Sequence, residues 1–212
     1  LTQILLNHVV SGTAKSTDLQ TGYIKTLAKG GASTTNTLSM YVDLTSGVKL
    51  NGIAKVITAD VMASNGIIHV VDAVIGLPTI VTHATANPNF STLATLLTTQ
   101  NLISTLSSSA TPSPFTVFAP LNSAFDTATT SLYGGLTSTQ KTAVLTYHVI
   151  GGANVLSTGI PASSPTLETG ILRFSGATIT DEQARVTNIV LTDVQCSNGI
   201  IHAVNKVLLP TL

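Results

Sequence analysis

Helical periodicity marks two segments of the second half of the chain. In residues 90–106, leucine and isoleucine recur every three or four positions, which is the spacing of one face of a helix. The pattern breaks near residues 100–101, so two consecutive helices are expected there. Residues 138–149 repeat the helical spacing. Between them, Asn122 is expected to cap a further helix.

The remaining apolar segments are short and rich in β-branched residues, which is typical of strands. FTVFA at 115–119 is one such segment, and four more follow residue 170: ILRFS, ATITD, ARVTNIVLTDVQ and GIIHAVNKVLL. Asn198 and Gly199 lie between the last two, and Asn65 and Gly66 lie between a similar pair. An Asn-Gly pair favours a hairpin with left-handed backbone. The pattern therefore predicts an α+β protein with a structural turn at each Asn-Gly.

An internal repeat sets the domain organisation. The hexapeptide SNGIIH occurs at 64–69 and at 197–202, and LTQILLNHVVSG at the start of the chain matches KTAVLTYHVIGG at 141–152. The earlier copy has no counterpart to residues 79–140. The sequence therefore predicts the C-terminal half of one module, residues 1–78, followed by one complete module, residues 79–212.

Charged residues are scarce. They make up 8% of the chain, against roughly 25% in an average protein. Nine basic and nine acidic residues balance, so there is no basic field to bind nucleic acid. No apolar run of about 18 residues occurs, and no membrane span is predicted. A surface of Ser, Thr and Asn suits an extracellular or periplasmic protein.

Four of the five histidines fall at repeated positions, His8 with His148 and His69 with His202. No other ligand lies at metal-binding spacing from any of them, so structural roles are predicted, with no metal site and no cofactor. Cys196 is the single cysteine, which excludes an internal disulfide. It is expected to be a small buried residue.

A serine hydrolase is one alternative, because Asp193, Ser197 and His202 spell a triad that recurs as 60, 64 and 69. However, the chain has no G-x-S-x-G elbow, and Ser197 precedes a hairpin turn instead of opening a helix. No catalytic residue is therefore predicted.

Three sequence motifs carry a family resemblance. FTVFAPLNSAF, YHVIGG and SNGIIHAVNKVLLP stand in the order and spacing of the fasciclin (FAS1) domain. The resemblance covers residues 79–212, and residues 1–78 resemble the C-terminal half of the same domain. It implies a FAS1-type β-sandwich or wedge flanked by helices. Such domains usually occur in tandem in secreted or cell-surface proteins, serve adhesion and have no common catalytic site.

The resemblance also implies adhesion candidates. The family's acidic-aliphatic motif corresponds to Asp193-Val194 and its Tyr-His motif to Tyr147-His148, with Asp60-Val61 and His8 in the first copy. Valine stands where isoleucine is commoner, and the proline that precedes the family motif is absent. These departures argue against integrin-type recognition and leave general surface adhesion as the expectation.

The expected function is therefore an adhesion module, secreted or on the cell surface, or periplasmic if the source is bacterial. Its partner is expected to be a surface or matrix protein or a glycan. Linked copies of a weak site raise binding by about 10²–10⁴. The exposed half module also predicts self-association. The alternative is a glycan- or small-molecule-binding module with an apolar cleft between helices and sheet.

Overall fold

The computed structural model describes all 212 residues, which form two sheets and six α-helices. The helices are α1 (Thr2–Leu6), α2 (Ile80–Ala86), α3 (Ser91–Thr99), α4 (Ile103–Ser107), α5 (Thr127–Gly135) and α6 (Ser138–Tyr147). The first sheet contains β1 (Gly22–Gly30), β2 (Ser33–Asp43), β3 (Lys49–Leu50), β4 (Ala54–Ala63) and β5 (Gly66–Val71). The second contains β6 (Phe115–Pro120), β7 (Val149–Gly151), β8 (Ser163–Pro165), β9 (Ile171–Ser175), β10 (Thr178–Thr180), β11 (Val186–Cys196) and β12 (Gly199–Val204).

The N-terminal sheet is antiparallel throughout, in the order β1-β2-β3-β4-β5. Strands β1 and β2 form a long hairpin, and the hexapeptide turn joins β4 to β5. Because β5 is last in this order, one of its edges has no neighbouring strand.

The C-terminal sheet has the order β7-β6-β12-β11-β10-β9-β8. Its only parallel pair is β6 with β12, in the register Phe115 to Gly199 through Pro120 to Val204. All residues of both strands are buried, as expected for central strands covered on both faces.

Each face of this sheet supports a separate part of the core. Helices α2, α3 and α4 cover one face, where Ile80, Leu93 and Leu97 join a cluster of 14 buried residues. On the opposite face, Phe118 and Tyr147 belong to a cluster of eight. The prediction of an α+β protein is confirmed.

The helix predictions hold in outline, and one cap is wrong. The break near residues 100–101 is confirmed, because α3 ends at Thr99 and Asn101 has φ of 56°. Asn122 does not cap the following α-helix. Its side chain accepts from the backbone N–H of Thr92 at 3.0 Å, while Asp126 accepts from Thr129 N–H and caps α5.

The left-handed backbone predicted for the Asn-Gly pairs is also wrong. Ser64-Asn65 and Ser197-Asn198 form the two turns, because Ala63 pairs with Gly66 and Cys196 with Gly199. None of these residues has a positive φ. The left-handed residues in the strands before these turns are Asp60 and Asp193, with φ of 59° and 61°. Each lies where the register of its strand shifts, so a β-bulge and not the turn needs this conformation.

The β1–β2 hairpin docks against the C-terminal sheet. Lys25 Nζ donates to the carbonyl of Asp193 at 2.9 Å, and Ser39 Oγ accepts from Gln195 N–H at 3.0 Å. Near the hairpin tip, a Cβ added to Gly30 would lie 2.4 Å from Ser197 Cα. These contacts hold the two sheets together in the region of Asp193.

Candidate functional site

Both candidate aspartates occupy the same structural position. Asp193 accepts from the backbone N–H of Ser157 at 2.9 Å and from its hydroxyl, and Asp60 accepts from Ser16 in the same two ways. Hydrogen bonds from Ser16 lower the pKa of Asp60. Burial alone would raise the pKa of Asp193, but the two bonds from Ser157 together hold it below its usual value. Each carboxylate ties a loop to a bulge.

His69 and His202 complete the two bulges. Nδ1 of each ring accepts from the backbone N–H of the aspartate, Asp60 or Asp193, at 3.4 Å. Nε2 donates to a carbonyl, that of Ala14 at 2.8 Å or its equivalent Val155 at 2.9 Å. Since both nitrogens of His202 bond to backbone, the Ser-His-Asp arrangement spelled by the sequence is not assembled.

His8 and His148 form a second matched pair. Nδ1 donates to the carbonyl four residues earlier, Ile4 at 2.8 Å or Val144 at 2.7 Å. Nε2 accepts from Ile75 N–H at 3.0 Å or Leu208 N–H at 2.9 Å. Burial lowers the pKa of His148 to about 4, so this ring is neutral. Both nitrogens of each ring therefore bond to backbone groups, as structural histidines do.

The candidates differ sharply in accessibility. Tyr147, His148 and Val194 are buried, and they present no surface to a partner. Val61 is 42% exposed, and His8 is also exposed. The motif that the sequence duplicates is therefore accessible around the first copy, while its second copy lies mostly within the core.

The helical layer causes this difference. In the C-terminal region, Val194, Ile201 and Ala203 lie in the cluster covered by α2 and α3. Their counterparts are Val61, Ile68 and Val70, which are all exposed. We call these three residues the apolar sheet face. Sequence reasoning missed it, although the signal was present: residues 1–78 have no counterpart to the helices of residues 79–140.

Two cavities are relevant to binding, and Ile68 of the apolar sheet face also lines the first. An apolar cavity of about 440 Å³ opens in the N-terminal region, where 14 of its 17 lining residues are hydrophobic. A polar cleft of about 420 Å³ lies where the β1–β2 hairpin meets the C-terminal sheet. Its walls carry hydroxyl, amide and charged groups, from Lys25, Thr35, Asn36, Thr37, Thr158, Asp193 and Gln195. The sequence did not indicate the polar cleft, because its walls are far apart in the chain.

Cys196 is fully buried, as predicted, and burial raises the pKa of its thiol. We expect the native protein to react with Ellman's reagent at pH 8 at least about 100-fold more slowly than in 6 M guanidinium chloride, because only the exposed thiolate is nucleophilic. The release of thionitrobenzoate, followed at 412 nm, gives both rates. Equal rates in the two solutions would contradict the buried position.

The sequence profile of the fasciclin domain matches residues 1–78 and 88–210. The protein sll1735 of Synechocystis is 34% identical over 139 residues, which make up 63% of this chain and 98% of that protein. Cell surface glycolipoprotein MPB83 of Mycobacterium bovis is 31% identical over 138 residues, or 62% of this chain and 60% of MPB83. A fasciclin-like arabinogalactan protein of Arthroderma benhamiae is 27% identical over 164 residues, or 76% of this chain and 37% of the fungal protein.

A solved structure is also similar. The FAS1 domain pair from the insect cell adhesion molecule Fasciclin I aligns with a TM-score of 0.57 and 20% sequence identity, over 98% of this chain and 79% of that one. At this identity the likeness concerns the fold, and it confirms the predicted FAS1-type architecture. No helix of the structure has the length and hydropathy that crossing a bilayer requires.

Proposed function

Because the chain belongs to the fasciclin domain family, we propose that it is a non-catalytic adhesion module of a secreted or cell-surface protein, or of the periplasm in a bacterium. Relatives that are cell surface glycolipoproteins support this location. Its partner is a surface or matrix protein or a glycan. The observation that carries the proposal is the match to cell surface glycolipoproteins of the same family. The apolar sheet face beside Asp60, which is exposed within residues 1–212, is the candidate contact, because exposed apolar patches mark interaction surfaces.

We further propose that residues 1–78 are the C-terminal half of one fasciclin domain and residues 79–212 a complete second domain. His8 makes the same kind of contacts as His148, and Asp60 the same kind as Asp193. These equivalent contacts support this division. Adhesion then depends on the first copy, where Val61 and His8 are exposed and Asp60 is half-buried. Asp193 is also half-buried and lies where the β1–β2 hairpin docks. Residues 1–212 therefore supply one accessible site to binding by avidity.

Replacing Val61 and Ile68 by threonine tests this surface. Threonine keeps the β-branched shape, so we expect an unchanged fold and at least a fivefold loss of adhesion to cells or matrix-coated beads, because apolar contact area is removed. Valines 186 and 190, which are both 51% exposed on β11, provide the matched control when changed to threonine. The Asp60→Ala/Asp193→Ala variant is measured alongside, with thermal unfolding of each protein.

Three results would change the proposal. Equal adhesion of the Val61/Ile68 variant and the control would remove the apolar sheet face from the contact. Adhesion that falls strongly between 0.1 and 1 M salt would contradict a contact based on apolar groups and neutral hydrogen bonds. Inhibition by free glycans of a Val61/Ile68 variant that still adheres would favour the alternative, a glycan-binding module. Its site would then be the polar cleft, whose hydroxyl and amide walls suit sugars, and not the apolar cleft between helices and sheet that the sequence predicted.

A further inference from the structure

A polar insertion in the first copy reaches across to the second copy. Strands β8 and β9 turn back after Pro165, whereas the equivalent strands β1 and β2 continue as far as Gly30. The longer tip holds residues 30–36, GGASTTN, and the N–H of its Ala32 donates to the carbonyl of Ser197 at 2.9 Å. The insertion is thereby held against the C-terminal sheet, where it supplies part of one wall of the polar cleft.

The walls of the cleft carry hydrogen-bonding groups that the protein itself does not use. Lys25 Nζ donates two of its three protons to neutral acceptors, a hydroxyl at 3.0 Å and a backbone carbonyl at 2.9 Å. The hydroxyls of Thr37 and Thr158 bond to no other group of the protein, and Asn36 uses its amide N–H but not its amide oxygen. The cleft thus offers one ammonium donor, one amide acceptor and two hydroxyls, which can act in either role.

The charges in the cleft favour a neutral ligand. Lys25 and Asp193 are its only charged lining residues, and their charges are opposite. An anion paired with Lys25 would be repelled by the carboxylate, and a cation paired with Asp193 would be repelled by the ammonium group. A neutral hydroxyl group avoids both penalties, because it can accept from Lys25 and donate to an oxygen acceptor. The volume of about 420 Å³ lies in the usual range for small-ligand sites.

The cleft does not depend on the front half that the first copy lacks. Leu27 and Leu167 make equivalent backbone bonds at 2.9 and 2.7 Å, so Lys25 is the counterpart of Pro165. Pro165 is exposed in the second copy, where residues 79–140 are present. The helices of a complete copy therefore leave this position open, and the other wall of the cleft belongs to the complete copy itself.

We propose that the polar cleft binds a neutral oligosaccharide, whose hydroxyl groups bond to the β1–β2 hairpin on one side and to the second copy on the other. The inference rests on the proposed function as an interaction module, for which it names a class of ligand. It is separate from the apolar sheet face, because no residue of that face lines the cleft. Sugars that carry carboxylate or sulfate groups are disfavoured by Asp193.

A printed array of neutral oligosaccharides and their uronic acid, sialylated and sulfated counterparts tests the class of ligand. We expect the 212-residue chain to bind neutral members and to bind their acidic counterparts at least tenfold more weakly. Calorimetric titration with the neutral oligosaccharide that binds most strongly then gives its Kd. Raising the salt from about 0.1 to about 1 M should change this Kd by less than about twofold, because the contacts involve no ligand charge.

The double variant Thr37→Val/Thr158→Val tests the site. Valine keeps the shape of threonine and removes the two free hydroxyls, one on each side of the cleft, so we expect an unchanged fold and at least tenfold weaker binding of that oligosaccharide. Thr17→Val/Thr58→Val is the matched control. Thr17 is the counterpart of Thr158 in the first copy, Thr58 is an exposed threonine of β4, and neither lines the cleft. The control should bind like the natural sequence, and thermal unfolding checks the fold of both variants.

Three outcomes overturn the assignment. They are the absence of binding to any neutral member up to about 10 mM, tighter binding of acidic members, and full binding by Thr37→Val/Thr158→Val. Loss of adhesion in the Val61/Ile68 variant with oligosaccharide binding intact contradicts the adhesive contact and supports this inference. Failed oligosaccharide binding with adhesion intact overturns this inference and leaves the adhesion proposal standing.

Discussion

Gly199→Ala is expected to destabilise the C-terminal region by about 3 kcal/mol, at the upper end of the range for overpacking in a core. The added Cβ would lie 2.2 Å from the carbonyl oxygen of Phe115, 2.9 Å from its backbone nitrogen and 2.9 Å from Ile80 Cδ1. Two of these atoms are backbone of a strand held on both sides, so they cannot yield without breaking the parallel ladder between β6 and β12.

The other copy of the hexapeptide supplies the control. A Cβ on Gly66 meets no atom within 4 Å, and Gly66 has no positive φ. Gly66→Ala is therefore expected to be neutral or to stabilise by about 0.4–1 kcal/mol, because alanine restricts the unfolded chain. Urea unfolding followed by circular dichroism measures both changes. Similar losses in the two variants would mean that both glycines serve the turn and not the approach of a neighbouring strand.

The identical hexapeptides show how far the sequence could predict the fold. Strands on either side of SNGIIH, the helix break near residue 101 and the buried Cys196 all follow from local pattern, and the structure has each of them. The left-handed residues Asp60 and Asp193 could not be located this way. They lie at bulges in β4 and β11, and a bulge depends on how one strand pairs with another, which no local pattern specifies.

The candidate site shows the same limit. The sequence identified Asp60 and Asp193 as equivalent, and their matched bonds to Ser16 and Ser157 agree with that equivalence. It could not separate exposed from buried copies, because burial of Val194 depends on helices about 100 residues earlier in the chain. The sequence did not predict the apolar cavity either, because its walls come from both ends of residues 1–78.

His148→Ala is expected to cost about 3–5 kcal/mol at pH 7, from the lost ring volume and from leaving two buried backbone groups without partners. These groups are the carbonyl of Val144 and the N–H of Leu208. His8→Ala removes the two equivalent bonds at an exposed position, where water can replace the ring. A loss of about 1 kcal/mol in the free energy of unfolding is therefore expected. Urea unfolding at pH 7 measures the pair, and equal losses would contradict the role of burial.

The pH dependence of stability distinguishes the effect of protonating the buried His148 ring from the effect of its packing. The pKa of His148 is about 4 in the folded chain and 6.5 when unfolded. Above pH 6.5 both states are neutral, so stability is constant. As the pH falls toward 4, only the unfolded chain takes up the proton, and up to about 3 kcal/mol of stability is lost. Burial also lowers the pKa of His83, to about 3, and the pKa of His202, so three histidines contribute in this window. His148→Phe should reduce the slope between pH 6 and 5 by about 1 kcal/mol per pH unit. An unchanged slope would mean that His148 is protonated in the folded protein.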